Sequence, residues 1–169
     1  MKKLALGLLG VLLAGQVVAQ DSLPATDVTA AEIQAFLKAL PRDAVSDKVI
    51  KAVDVGGYRV GVFGVFRPKN VPGEAILHET KVTEIYYILD GSATLVTGGT
   101  IADAHKQGAA IGHTSMRGPK IDGGVSRRVA KGDVIIIPGR TPHWFSSLDS
   151  DLTYLIYRPD PEGTLPLTK

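Results

Sequence analysis

The chain contains no cysteine, so thiolate nucleophiles, thiolate zinc centres and disulfide staples are excluded together. It also lacks any apolar run beyond its first twenty residues that approaches the ~20 residues needed to cross a bilayer. Charge of one sign is missing too. The 19 basic and 17 acidic side chains include Lys2 and Lys3 in the N-terminal stretch, and without those two the remaining chain carries 17 of each. A nucleic-acid partner needs a basic face, and a balanced chain offers none. Histidine is scarce, with four residues in 169, so the places where it falls carry information.

The opening stretch, MKKLALGLLGVLLAGQVVAQ, puts two lysines before an apolar run from Leu4 to Gly15 and closes on the small residues Val17, Val18 and Ala19. This is the pattern of a secretory signal peptide, too short to be a membrane span. Cleavage after Ala19 leaves a periplasmic or secreted protein with no stable membrane insertion. The remaining ~150 residues suffice for one domain with its own core.

The segments expected are a signal peptide over 1–19, a linker and amphipathic helix over 20–44, a barrel over 45–160 and a tail over 161–169. In TAAEIQAFLKALP, Thr29 is the N-cap and Glu32 its capping-box partner. Ile33, Phe36, Leu37 and Leu40 share one face, and Pro41 ends the helix. Thereafter the pattern is short strands with turn punctuation, including a hairpin at Gly56-Gly57. Eight or nine strands and one helix favour an all-β sandwich or closed barrel. Residues 98–124 have no steady period and are expected to form a long inserted loop, carrying His105 and His113.

The chemistry gathers around His78, Glu84 and His143. Alternation along a strand puts His78 and Thr80 on one face, and Glu84, Tyr86 and Ile88 on one face of the next strand. With KVT (81–83) as the turn, the two sets face each other across a hairpin, and His143 approaches after the Pro138-to-Pro142 turn. Two imidazoles and a carboxylate suit a divalent ion with open positions. Tyr86 and Phe145 share the inward parity and are expected at the pocket. Arg127 and Arg128 have opposite parities, so one of them could point inward, although a solvated edge accounts for both. Trp144 is expected to face away from His143.

Gly73, His78, Glu84 and Gly91, followed by Gly132, Pro138 and His143, resemble the two motifs of the cupin superfamily, with one residue fewer before the first histidine. Thr80 stands where the family has a second histidine, Arg140 where it has a glycine and Ser147 where it has an asparagine. The resemblance spans about residues 73–147. It implies a double-stranded β-helix, a jelly-roll barrel holding a metal in its mouth, here with one N-terminal helix and a long loop between the motifs. It also implies His78, Glu84 and His143 as metal ligands, with Thr80, His105 or His113 as candidates for a further one. The ion could be Zn, Mn, Fe, Ni or Cu.

Three functions compete on this reading. One is a metal-dependent oxygenase, isomerase or lyase of a small organic molecule. The second is a non-catalytic binder of a sugar or organic acid in the same barrel mouth. The third is an exported interaction domain using the 29–40 helix. A homodimer is the expected assembly.

Overall fold

The computed structural model describes residues 22–108 and 114–168. The proposed signal peptide and His113 therefore lie outside the described residues. Helix α1 (Ala30–Ala39) starts where the capping pattern places it. The Glu32 N–H donates to the Thr29 hydroxyl at 3.2 Å, and the Thr29 N–H donates to the Glu32 carboxylate at 2.7 Å. Two of the amides that a helix start leaves unpaired are satisfied reciprocally.

Strands β1 (Ser46–Asp54) and β2 (Arg59–Arg67) form the expected antiparallel hairpin. Its turn needs the two glycines, since Gly56 and Gly57 both have positive φ, 91° and 112°. The middle of β2 is buried on both faces because α1 lies across its outer side. Gly64 permits that approach, since a Cβ there would come within 2.9 Å of Leu37 and 3.0 Å of Phe36.

The remaining strands are β3 (Ala75–His78), β4 (Glu84–Asp90), β5 (Ser92–Thr97), β6 (Thr100–Ile101), β7 (His105–Gln107), β8 (Ser115–Gly118), β9 (Ile121–Asp122), β10 (Val125–Ala130), β11 (Val134–Ile137), β12 (His143–Leu148) and β13 (Leu152–Asp160). They build a five-stranded sheet in the order β1-β2-β13-β4-β11, a six-stranded sheet in the order β10-β5-β12-β3-β8-β7, and a small β6-β9 pair. All the pairings are antiparallel. Alternating inward residues, among them Val65, Ile88, Leu95, Phe145, Tyr154 and Ile156, fill the space between the two large sheets. Strand β11 shows the alternation plainly, with Ile135 and Ile137 buried and Val134 and Ile136 exposed.

One expectation changes. The 98–124 segment is not structureless: it supplies β6 to β9, and β8 and β7 extend the six-stranded sheet beside β3. These strands are two to four residues long, too short for a period of two to stand out in the sequence. The C-terminal tail is fastened to the barrel. Leu165 is fully buried, its N–H donates to Asp160 Oδ2 at 2.7 Å, and its carbonyl accepts from Arg59 Nη1 at 2.6 Å. Among the described residues no helix is long and apolar enough to cross a membrane.

Candidate metal centre

His78 ends β3 and His143 begins β12. These strands are neighbours in the six-stranded sheet, with His143 opposite Ile76. Glu84 begins β4 in the other large sheet. The KVT segment is therefore a crossing between sheets rather than a hairpin turn, and the two imidazoles meet the carboxylate across the sandwich. The crossing is fixed by backbone: the Thr83 N–H donates to the Pro159 carbonyl at 3.1 Å, and the Lys81 N–H donates to Glu162 at 3.0 Å. The turn before His143 lies directly on it. A Cβ at Gly139 would come within 2.6–2.7 Å of the Lys81 backbone, so only glycine lets the two segments touch.

The three candidate donors converge. His78 Nε2 is 3.5 Å from Glu84 Oε1, and His143 Nε2 is 3.2 Å from Glu84 Oε2. All three donor atoms lie within 4.8 Å of one another. Donors bonded to one ion at about 2.0–2.2 Å stand about 3.0–3.5 Å apart at right or tetrahedral angles. The two pairs through Glu84 already meet that spacing.

The tautomer of His143 adds chemical content. Its Nδ1 lies 3.0 Å from the Thr141 carbonyl, which can only accept, so Nδ1 carries the proton. In the neutral ring Nε2 is then a bare lone pair, aimed at a carboxylate oxygen that is also an acceptor. Two acceptors 3.2 Å apart require a cation between them, either a proton or a metal ion. The donor set fits a divalent ion, and the Thr141 carbonyl is the partner that commonly orients a ligating imidazole.

Glu84 is 2 % exposed and is held from the far side by Arg158, which is 1 % exposed. Arg158 donates to Glu84 Oε1 through Nε at 2.8 Å, with Nη2 at 2.7 Å. It forms a fork with Asp47 at 3.1 and 2.6 Å. Its guanidinium lies 4.1 Å over the Phe63 ring. Burial pushes the Glu84 carboxyl up, but Arg158 first, then His143 and His78 in their protonated forms, outweigh it and hold the group well below the usual carboxylate range. For Arg158 burial acts to lower the pKa, and the Asp47 and Glu84 carboxylates reverse that. Burial, then the charge of Glu84, push the Tyr86 phenol well above its ordinary value. Tyr86 stays protonated and donates to Glu84 Oε2 at 2.9 Å.

These residues line a cavity of about 470 Å³. Tyr86 is on its wall as expected. Phe145 lies beneath, stacked on Tyr86 at 6.1 Å in the core. Thr80 is buried, its hydroxyl accepts from the Val82 N–H at 3.4 Å, and it is not among the lining residues. His105 is exposed on β7, opposite Arg117, away from the three donors. Arg127 and Arg128 both face solvent, binding Thr97, and Ser92 and Asp149, respectively. Arg158 is instead an inward-facing arginine. It continues the buried alternation of Leu152, Tyr154 and Ile156 along β13, a signal visible in the sequence. Trp144 turns away from His143 as expected, and its Nε1 donates to the Gly73 carbonyl at 2.8 Å.

The sequence matches no protein-family model and no curated protein sequence. Solved structures do match. An uncharacterized Klebsiella pneumoniae protein with a double-stranded β-helix domain aligns over 86 % of this chain and 99 % of its own, at 10 % identity and a TM-score of 0.53. A cupin domain from Bordetella pertussis covers 72 % and 99 % at 12 % identity, with a TM-score of 0.41. The DMSP lyase DddQ from Ruegeria pomeroyi covers 87 % and 81 % at 17 % identity, with a TM-score of 0.44. The first alignment, with the two-sheet topology, establishes the fold as a double-stranded β-helix.

Proposed function

We propose that this cupin-type barrel holds a divalent transition metal ion between His78, Glu84 and His143 and acts on a small organic molecule in the cavity beside them. The observation that carries the reading is the facing of His143 Nε2 and Glu84 Oε2 at 3.2 Å, with the His143 proton committed to Thr141 on the other ring nitrogen. Three protein donors leave positions for a substrate, and an ion so bound supplies Lewis acidity toward an oxygen-bearing group. The chain's own residues supply the rest. Thr141 fixes one imidazole, Arg158 and Tyr86 fix the carboxylate, and the two sheets keep bulk water from all but the open face. Of oxygenase, isomerase and lyase chemistries, we favour an oxygenase. Export, inferred from the N-terminal pattern, means that the ion is acquired outside the cytoplasm, where affinity order favours zinc and copper.

Elemental analysis of protein recovered from its native compartment, without a metal-affinity tag, tests the reading. Near-stoichiometric transition metal is expected, retained through dialysis and lost in Glu84→Gln. Metal-free protein from that source overturns it.

A second reading, a non-catalytic binder of small molecules, draws on Arg158 and Tyr86, which satisfy Glu84 without any ion. It expects ligand binding indifferent to chelator. N-terminal sequencing of the secreted or periplasmic protein tests the export step, with Gln20 as the expected first residue.

A further inference from the structure

The cavity has a second polar end that the three donors do not use. Arg67, at the end of β2, is half-buried on its wall. Its Nε donates to the Tyr154 hydroxyl at 2.9 Å, and its guanidinium sits 5.2 Å from the Phe145 ring centre. Among the described residues no carboxylate pairs with it, in contrast to Arg158 on the adjoining β13, which has two. Nor is it loose. A Cβ at Gly73 would come within 3.1 Å of its Nη1, and the Gly73 carbonyl is itself pinned by Trp144.

Arg117 joins the same rim from β8. Its Nη1 stands 3.7 Å from Glu74, too long for a hydrogen bond, and its Nε is buried with no partner. A guanidinium partly removed from water without an anion is costly, and beside Arg67 the guanidinium of Arg117 is only loosely paired, through Glu74 at 3.7 Å. Four cationic side chains, Lys48, Arg67, Arg117 and Arg158, line the cavity against three anionic ones, Asp47, Glu74 and Glu84. A bound divalent ion would widen that positive excess.

We propose that Arg67, assisted by Arg117, is an anion subsite, so that the molecule taken into this cavity is a small organic oxyanion held by its charged head beside the metal centre. The planar fork of arginine suits the paired oxygens of a carboxylate, and the two free Nη groups supply it. The cavity volume falls in the range of small-molecule sites. This substrate class rests on the reading of the cavity as the binding site. The anion contact itself is made by Arg67 and does not need the ion.

Titration calorimetry on the full chain, zinc-loaded and chelator-treated, tests the subsite. Malonate and methylphosphonate are the anionic probes and malonamide is the neutral match. The quenching of Trp144, the only tryptophan, is the second readout, since it is bonded to the residue packed on Arg67. Saturable binding of an anion in both preparations is expected, with malonamide silent. Arg67→Gln should weaken it by about 10- to 100-fold, Arg67→Lys less, and Arg117→Gln by a smaller factor in a chain that keeps all its core contacts. Whichever anion binds better identifies the head group. No saturable anion binding, equal binding of malonamide, or unchanged affinity in both a folded Arg67→Gln and Arg117→Gln would overturn the proposal. Loss of anion affinity with zinc retained supports the subsite by itself. Failure to hold zinc with Arg67-dependent malonate binding intact sinks only the metal reading.

Discussion

Replacing Arg158 by methionine separates the two roles that converge on Glu84. The guanidinium is 1 % exposed and, among the described residues, is the permanent cation in contact with Glu84 Oε1. Methionine keeps much of the volume over Phe63 but leaves a carboxylate that is 2 % exposed without its main counter-charge. Breaking a buried pair from one side costs about 3–5 kcal/mol. At about 2–4 °C per kcal/mol for a chain of this size, the chelator-treated variant should melt on the order of 10 °C lower. With metal present the missing guanidinium also acts in the opposite direction, on ion affinity. An ion bonded to the carboxylate would sit about 2 Å beyond it, hence about 4–5 Å from a guanidinium whose Nη2 is 2.7 Å from Oε1. At an effective dielectric of about 20, charges of +1 and +2 at about 5 Å repel by about 7 kcal/mol, offset in part by Asp47. The variant should therefore bind the ion more tightly than the natural chain and recover most of its lost stability on loading. Thermal unfolding with and without saturating zinc reads both quantities, since ligand stabilisation follows the ratio of concentration to dissociation constant. Equal melting temperatures without metal, together with an unchanged zinc-induced shift, would refute the reasoning.

Three further perturbations follow from the same geometry. Because the folded Glu84 carboxyl is depressed below its ordinary 4.5, its contribution is complete above that pH and is lost as pH falls toward the depressed value. Metal-free protein should thus lose more stability between pH 5 and 3 than Glu84→Gln does, by thermal unfolding, and parallel curves would count against the assignment. Arg140 is exposed with φ 61°, a left-handed conformation that costs a non-glycine residue about 1 kcal/mol, so Arg140→Gly should raise the melting temperature by a few degrees. Gly139→Ala should push the Pro138-to-Pro142 turn off Lys81, destabilise by about 1–3 kcal/mol and weaken zinc retention. A variant with the natural zinc affinity would show that this contact does not set the position of His143.

The elements legible in the sequence were those whose signal is local. The capping box of Thr29 and Glu32 needs only three residues of spacing, and the Gly56-Gly57 hairpin needs only two glycines between alternating strands. The triad of His78, Glu84 and His143 was legible because the two motif segments carry it as fixed spacings. What was not legible depends on pairing between distant strands. The sheet that each strand joins decides whether residues 81–83 turn a hairpin or cross the sandwich, and no local period reports that choice. The strands within 98–124 are of the same kind, since β7 and β8 have an edge to pair with only once β3 is in place.

Arg158 is an example. Its parity was readable, but its partner Glu84 lies 74 residues away and is reached only through the pairing of β13 with β4. Thr80, a candidate for a further ligand, has its hydroxyl occupied by the Val82 N–H and lies off the cavity. The charge of Glu84 is met by a guanidinium from the neighbouring strand. A carboxylate compensated in that way keeps its geometry whether or not an ion is bound, so loading and unloading of the site should leave the barrel folded. That pre-organisation lowers the cost of binding and, through the repulsion between Arg158 and the ion, also limits affinity. The two effects oppose each other, and the Arg158→Met comparison above measures which of them is larger.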